Sequence, residues 1–156
     1  MFQIGELVCY PMHGVGHVEA IEEHTVLGET SKYYLLRFIM GRMTAMVPVA
    51  SADQVGLRPL ADHSECEDIL LFLSNDTYDA ESDNWNQRYR ENLDKLKAGN
   101  ISDVASVVKC LKRRDEQRGL SAGERKMFLT ARQVLVAELT AVTGKDEEEI
   151  LSLLGN

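Results

Sequence analysis

Side chains of metal-binding type lie close together near the N-terminus. Cys9, His13 and His17 are each four positions apart, and thiolate and imidazole groups are ligands that Zn²⁺ prefers in proteins. The interval crosses the end of a predicted strand, Pro11 and two glycines, so the three side chains share no helical face. The sequence therefore favours a turn with ordinary surface histidines. Metal-dependent catalysis stays open as an alternative, and its signature is stoichiometric zinc in the purified protein.

A short glycine motif overlaps this region. Gly14-Val15-Gly16 is similar to the start of a phosphate-binding loop, but it lacks the third glycine and the following helix. A tight turn between two strands is the better interpretation. No serine or cysteine lies in a nucleophile motif, and the carboxylates fit helix caps and solvated faces. The sequence thus predicts a protein that is not an enzyme and needs no cofactor and no metal.

The single tryptophan, Trp85, lies at the expected start of a helix and is followed by basic residues. An aromatic ring beside cations is typical of a nucleic-acid contact, in which the ring stacks on or wedges between bases. The alternative is a tryptophan packed against its own domain, with the basic residues on a solvated helix face. The basic residues concerned are Arg88, Arg90, Lys95 and Lys97, and further along Lys112, Arg113 and Arg114.

Charge is distributed unevenly along the 156 residues. The formal net charge of -8 argues at first against nucleic acid, but residues 85–132 carry 12 basic and 6 acidic side chains, a local net charge of +6. Residues 61–84 carry eight acidic side chains and no basic one, and residues 133–156 carry five and one. This cationic block between two acidic ones is compatible with contact to nucleic acid through one face.

No stretch of the chain predicts a membrane segment or an export signal. No run approaches 18 apolar residues, and Glu6 interrupts the first apolar run. The three cysteines are odd in number and form no CxxC pair, which indicates reduced thiols rather than disulfides. We therefore expect a cytoplasmic protein.

The first sixty residues have the pattern of short strands. The predicted strands are residues 6–10, 15–25, 32–39, 43–49 and a closing segment at 55–59. Turn signals about ten residues apart predict a small curled barrel. A barrel this small leaves at least one edge open, and an open edge can dock a partner.

After Pro59 the hydrophobic pattern becomes helical. We predict helices at residues 67–73, at 85–98, from 102 to Gly119, from Ser121 to Gly144, and from Asp146 onward. Capping-box spacing marks the start of the first helix, at Ser64 and Glu67, and of the fourth, at Ser121 and Glu124. The third helix is expected to turn Lys109 away from its apolar face, and residues 74–84 to form a loop. The predicted fold class is α+β, with a β-barrel domain at 1–60 and a helical domain at 61–156 that pack together.

Two blocks of residues make the sequence recognisable. The run from Val8 to Gly16, followed by 18–22, 33–35, 47–49 and 55–58, resembles the CarD/CdnL family of bacterial transcription regulators. The second half agrees through Asn84-Trp85, Arg88-Tyr89, Asn92-Leu93, Lys95-Leu96, Arg113-Arg114-Asp115 and the run from Arg118 to Glu124. The likeness covers nearly the whole chain in the right order.

For the N-terminal domain, the resemblance implies a Tudor-like barrel that binds the β subunit of RNA polymerase by adding its exposed edge to a sheet of that subunit. Basic side chains assist this contact in better-known members, whereas this sequence has His24 and Met46 near those places. The matching residues are His24, Met43, Thr44, Ala45, Met46, Val47 and Pro48.

For the helical domain, the resemblance implies contact with the upstream edge of the melted promoter, largely independent of sequence. Trp85 matches the family's wedge, and Arg88, Arg90 and Arg125 match its basic positions. We therefore expect a monomeric factor, associated with the nucleoid through polymerase, that stabilises the open complex. The alternative is a protein-interaction adaptor without DNA contact, in which Trp85 is a core residue shielded from solvent.

Overall fold

The computed structural model describes residues 1–75 and 83–154. Within these residues, an antiparallel sheet of five strands precedes five α-helices, which confirms the predicted α+β fold class. The strands are β1 (Leu7–Tyr10), β2 (Gly14–Val26), β3 (Glu29–Phe38), β4 (Thr44–Pro48) and β5 (Arg58–Pro59). The helices are α1 (His63–Ser74), α2 (Trp85–Ala98), α3 (Ile101–Arg118), α4 (Ala122–Thr143) and α5 (Glu147–Leu153). A 3₁₀ turn, Val49–Ser51, follows β4.

The strands lie in the order β4-β3-β2-β1-β5, so β4 and β5 are the edges of the sheet. The long β2–β3 hairpin turns at Leu27 and Gly28, which both have positive φ, as a two-residue type I′ turn requires. A register shift between Val18 and Ala20 adds a bulge to β2 and increases the local twist. The chain therefore leaves the backbone of β4 at a sheet edge.

Two hydrophobic clusters fill the interior. The cluster of the sheet contains Val8, Val18, Tyr34, Leu36, Phe38 and Val47, and alternate residues of β3 and β4 supply it, as expected for strands with one buried face. The second cluster lies among the helices, where α3 and α4 pack most extensively and α1 covers them. Burial of these side chains is the main source of stability for both parts.

Local capping signals explain where the helices begin and end. Asn84 caps α2, the predicted Ser121–Glu124 capping box starts α4, and Gly99 and Gly144 end these two helices in the left-handed conformation. The predicted start of α1 is wrong. Its capping box is formed by Asp62 and Glu65 rather than by Ser64 and Glu67, so the helix begins four residues earlier.

The outward orientation predicted for Lys109 is also wrong. This side chain is buried, and its Nζ donates hydrogen bonds to the Phe72 carbonyl oxygen at 2.5 Å and to Asn75 Oδ1 at 2.6 Å. A lysine in this place satisfies the free carbonyl groups at the C-terminal end of α1.

Most of the predicted loop lies at residues 76–82, outside the described residues. Across 1–75 and 83–154, no helix is both long and apolar enough to cross a bilayer.

Candidate functional site

Trp85 stands at the first position of α2. The Asn84 side chain accepts a hydrogen bond from the Gln87 amide, which starts the helix at this point and projects the indole from its N-terminal end. The side chain of Trp85 is 44% exposed. The alternative in which Trp85 is a shielded core residue is therefore wrong.

The exposed indole is nevertheless held in place. Its Nε1 donates a hydrogen bond to Glu124 Oε1 on α4 at 3.2 Å. One face stacks on Tyr89, one helical turn further along α2, with ring centroids 5.1 Å apart and an interplanar angle of 17°. Contacts on two elements thus fix the orientation of a partly exposed aromatic ring.

Glu124 is the centre of this arrangement. It completes the α4 capping box by accepting hydrogen bonds from the Ser121 amide and hydroxyl, while Oε1 also accepts from Trp85. The carboxylate is 3% exposed. Although burial alone would raise its pKa, the hydrogen bonds from Arg88 and Ser121 lower the pKa below its ordinary value. Glu124 is therefore ionised at neutral pH.

The structure places Arg88 differently from the other predicted DNA-contacting residues. Arg88 is 2% exposed, and its Nε donates to Glu124 Oε2 at 3.3 Å. The guanidinium of Arg114, on α3, lies 3.9 Å from the same oxygen. A guanidinium enclosed in this way has no access to a phosphate, so the direct DNA contact predicted for Arg88 is not available in this structure. Arg88 is thus the buried partner of the carboxylate that holds the indole.

Arg90 and Arg125 lie at the surface. Arg90 is exposed on α2, five residues after Trp85. Arg125 follows Glu124 on α4, and its Nη2 donates to Asp115 Oδ1 at 3.0 Å while half of its side chain remains exposed. Two further exposed cations, Arg118 and Lys126, accompany Arg125 on α3 and α4. Arg90, Arg125 and Lys126 therefore place positive charge on the two helices that carry and hold the indole, and Arg118 adds one at the end of α3.

Of the residues predicted to bind polymerase, Thr44 to Pro48 form the edge strand β4, Met43 precedes it and His24 lies on β2. Phe38 N donates to Met43 O, and the register continues through Leu36 opposite Ala45. Because hydrogen-bonded and non-bonded pairs alternate in an antiparallel ladder, Ala45 and Val47 direct their amides toward β3, whereas Thr44 and Met46 direct theirs away from it. In the part of the chain that the structure describes, no strand pairs with this outer side.

The composition of β4 fits an accessible edge. Val47 is buried, whereas the side chains of Thr44 and Met46 are exposed and Ala45 is half-buried. Met43, just before the strand, is 56% exposed. Pro48, which has no amide hydrogen, occupies an outward-directed position where a strand can accommodate proline.

His24 lies near the far end of this edge. It belongs to β2, and its Nε2 lies 2.9 Å from Glu22 Oε2. The imidazole also stands edge-on to Tyr33, with ring centroids 5.7 Å apart, and the Tyr33 backbone is opposite Pro48 of β4. The structure therefore brings His24 close to the C-terminal end of the edge strand.

The N-terminal cysteine and histidines do not form a metal-binding geometry. Cys9 is buried with its thiol directed at Glu138, and the His13 ring packs against both Tyr10 and Phe38, which also contact each other. Over residues 1–75 and 83–154, no three histidine, cysteine or acidic side chains form a group that could hold a metal ion.

Sequence reasoning missed the roles of Glu124, Tyr89 and Glu138. Glu124 is recognisable as a capping residue, but nothing in its spacing reveals a contact with a tryptophan 39 positions away. Glu138 does carry a signal, because it interrupts the predicted apolar face of α4 between Leu135 and Leu139. A charged residue on such a face indicates a buried partner, and that partner is Arg58.

Family models account for nearly all of the chain. Residues 2–61 match the model described as "CarD-like/TRCF RID domain", and residues 68–155 match "CarD, C-terminal domain". The chain is also 39% identical over 155 residues to YdeB of Bacillus subtilis (strain 168), covering 97% of this chain and 99% of that protein.

Among solved structures, the N-terminal part is similar to two domains from Myxococcus xanthus. The solution NMR structure of the 72-residue N-terminal domain of CarD is 29% identical, with a TM-score of 0.34, and covers 38% of this chain and 79% of that one. The structure of CdnLNt is 37% identical, with a TM-score of 0.33, and covers 38% of this chain and 83% of that one.

Proposed function

The chain belongs to the CarD family of transcription factors, a non-enzymatic family whose N-terminal domain implies interaction with RNA polymerase, and from this premise we propose a two-contact function. The protein binds the polymerase β subunit through β4 and stabilises the promoter open complex through Trp85. The observation that carries this proposal is the state of Trp85, which is partly exposed and yet fixed by Glu124 and Tyr89.

The polymerase contact is proposed to be strand addition. The amides of Thr44 and Met46 point outward at the edge of the sheet and can donate to a strand of the partner. Met43 and Met46 add flexible apolar side chains that adapt to the surface of a partner. His24, beside the end of β4, completes the contact as the matching position of the family's assisting side chain.

The DNA contact is proposed to be a wedge at the upstream edge of the melted region. An indole that fills an opened base step favours unpaired DNA over closed duplex, and neighbouring cations neutralise the adjacent phosphates. Arg90 and Arg125 supply the cations, and Arg88 acts indirectly by holding Glu124, which accepts the hydrogen bond of the indole. Because the ring reads an opened step rather than base edges, promoter choice is left to the polymerase.

The net charge of -8 supports a tethered contact rather than independent DNA binding. Repulsion between the acidic segments and DNA keeps the free protein away from non-specific sites. Once β4 is bound to polymerase, the DNA-facing residues act at a high effective concentration, so an individually weak contact is sufficient.

The tether is tested by replacing Met46 with proline. The Met46→Pro variant loses an amide that points away from β3, so the sheet retains its own ladder while the edge loses a donor. We expect affinity for purified RNA polymerase to fall about tenfold, equivalent to ~1.4 kcal/mol. Binding is measured by biolayer interferometry, and circular dichroism checks the fold.

Met46→Ala is the matched control, because it removes the same side chain but keeps the amide. If the contact is strand addition, Met46→Ala should bind polymerase more tightly than Met46→Pro. Its affinity should lie between those of Met46→Pro and wild type, or equal that of wild type. If a folded Met46→Pro variant binds as well as Met46→Ala, the contact does not use the outward amide of β4.

A further inference from the structure

A buried carboxylate connects the sheet to the helices. Glu138 of α4 is 1% exposed and accepts hydrogen bonds from Arg58 Nη1 at 2.7 Å and Arg58 Nη2 at 2.8 Å. It also accepts from the Ala61 amide at 2.8 Å, and the Cys9 thiol points at it from β1 at 3.8 Å. Residues of β1, β5 and the segment leading to α1 thus converge on one side chain of α4.

Arg58, the other member of the ion pair with Glu138, also contacts the end of α2. Arg58 Nε and Nη2 donate to the Gly99 carbonyl oxygen at 3.0 and 2.9 Å. Gly99 is the C-cap of α2, so this contact satisfies a carbonyl group at the end of the helix. One guanidinium on β5 therefore holds both α2 and α4.

These two helices are the ones that carry and hold the indole. Trp85 and Gly99 lie 14 residues apart on α2, and Glu124 and Glu138 lie 14 residues apart on α4, about 21 Å along each helix axis. At their N-terminal ends, the helices are joined by the contact between Trp85 and Glu124. At the other ends, Arg58 joins them to the sheet.

Close backbone packing surrounds the same junction. A Cβ atom on Gly99 would lie 2.7 Å from Pro11 Cγ, and one on Gly56 would lie 2.8 Å from the same atom. A Cβ atom on Gly14 of β2 would lie 3.1 Å from Met40 Sδ and at an ordinary contact distance of 3.6 Å from Val134 Cγ2 of α4. The junction is therefore held by a planar ion pair and by glycine contacts that leave little room for adjustment.

We infer that the Arg58–Glu138 pair is a positioning element that fixes the sheet against α2 and α4 and thereby sets where Trp85 stands relative to the edge strand β4. The inference rests on the proposed function, because a fixed placement matters only if both surfaces engage at once. A rigid connection keeps the effective concentration of the indole at the DNA high, whereas a loose one spreads the indole over many positions.

The chemistry of the pair suits this role. A bidentate guanidinium–carboxylate contact restricts orientation as well as distance, which a point charge does not. Burial and the adjacent Glu138 carboxylate raise the pKa of Cys9 to about 12, so the thiol remains neutral and donates toward Glu138. The junction therefore holds a single matched pair of charges.

The experiment uses two variants of the full chain. Arg58→Lys keeps the charge but loses the planar fork and at least one of the contacts to Gly99, and Glu138→Gln keeps the shape but loses the charge. Glu116→Gln is the control, because it removes the carboxylate of an exposed pair with Lys112 on α3, away from the junction. Each protein is compared in ¹⁵N relaxation, polymerase affinity and open-complex lifetime.

We expect one rotational correlation time for wild type and Glu116→Gln, and separate times for sheet and helices in at least Arg58→Lys. Polymerase affinity should be unchanged, while the open-complex lifetime falls about tenfold. Adding Trp85→Ala to either junction variant should produce little further loss, since both changes remove the same contact.

Two results would overturn the inference. Sheet and helices that still tumble together in both variants would show that the pair does not fix their orientation. Independent tumbling in a folded variant with an unchanged lifetime would show that orientation does not matter. Failure of the proposed function is distinct, because then Trp85→Ala alone would leave the lifetime unchanged. If Glu138→Gln does not fold, Arg58→Lys decides the question.

Discussion

Glu124 combines two tasks in a single side chain. Its carboxylate caps α4 through Ser121, and it also orients the indole of Trp85 while Arg88 neutralises its charge. A carboxylate with these partners is more stable ionised in the folded protein than in the unfolded chain. The stability of the helical part is therefore linked to the geometry of the exposed indole.

This linkage predicts a pH dependence. The folded-state pKa of Glu124 lies below its ordinary value of 4.5, so its stabilising contribution is complete above pH 4.5 and is lost as the pH falls through the lower folded value. Glu124→Gln should lower the free energy of unfolding by about 3 kcal/mol at neutral pH, since it removes the ionised carboxylate that faces the buried Arg88 guanidinium.

Urea unfolding of both proteins between about pH 3 and pH 7 measures this effect. The gap in unfolding free energy between wild type and Glu124→Gln should narrow toward acid, because protonation removes the same charge from wild type. Acrylamide quenching of Trp85 should increase in the variant, as one of the two restraints on the indole is weakened. A gap that stays constant with pH would contradict the role assigned to the ionised carboxylate.

At the scale of elements, the sequence predicts what is encoded locally. The start of α4 at Ser121–Glu124 and the ends of α2 and α4 at Gly99 and Gly144 follow from side chains within one turn. The predicted start of α1 is wrong because two capping-box patterns, Asp62–Glu65 and Ser64–Glu67, overlap in the sequence. The helix uses the first pattern, whose N-cap lies two residues before Ser64.

Burial of charged residues was not predictable from local pattern. Arg88 and Lys109 lie on helix positions that suit solvent, and their partners Glu124 and Phe72 lie more than thirty residues away. In the proposed site, Trp85 and the edge strand β4 are identifiable from the sequence. The residues that hold Trp85 are not, because packing between helices brings them together.

Two C-cap glycines provide a matched test of the junction at the end of α2. Both Gly99 and Gly144 have positive φ, at +80° and +76°, so alanine is strained at either position. A Cβ at Gly144 meets nothing within 4 Å, whereas one at Gly99 would lie 2.7 Å from Pro11 Cγ. Gly144→Ala should cost about 1 kcal/mol of stability, and Gly99→Ala about 1–3 kcal/mol more.

Chemical denaturation of the two alanine variants gives the comparison directly. A larger loss for Gly99→Ala supports close packing of the β1–β2 turn against α2. Equal losses for the two variants would show that this packing is loose and that Pro11 moves aside without cost.

For the molecule as a whole, the proposed function requires two binding surfaces on one rigid body. The edge strand β4 is the surface proposed to bind polymerase, and Trp85 lies on the helices with Arg90 and Arg125 on the same pair of elements. In the proposed function, the acidic remainder of the chain disfavours DNA binding away from polymerase. In the proposed function, the indole acts on promoter DNA only while the sheet is bound to polymerase.

The most direct test is the lifetime of the promoter open complex, followed after a competitor challenge, with wild type, Trp85→Ala or Trp85→Phe at concentrations that saturate polymerase. We predict that Trp85→Ala binds polymerase as tightly as wild type and shortens the lifetime at least about fivefold, since loss of base stacking costs about 1–3 kcal/mol. Trp85→Phe, which keeps an aromatic ring but loses the bond to Glu124, should be intermediate. An open complex that lasts as long with Trp85→Ala as with wild type would contradict the account.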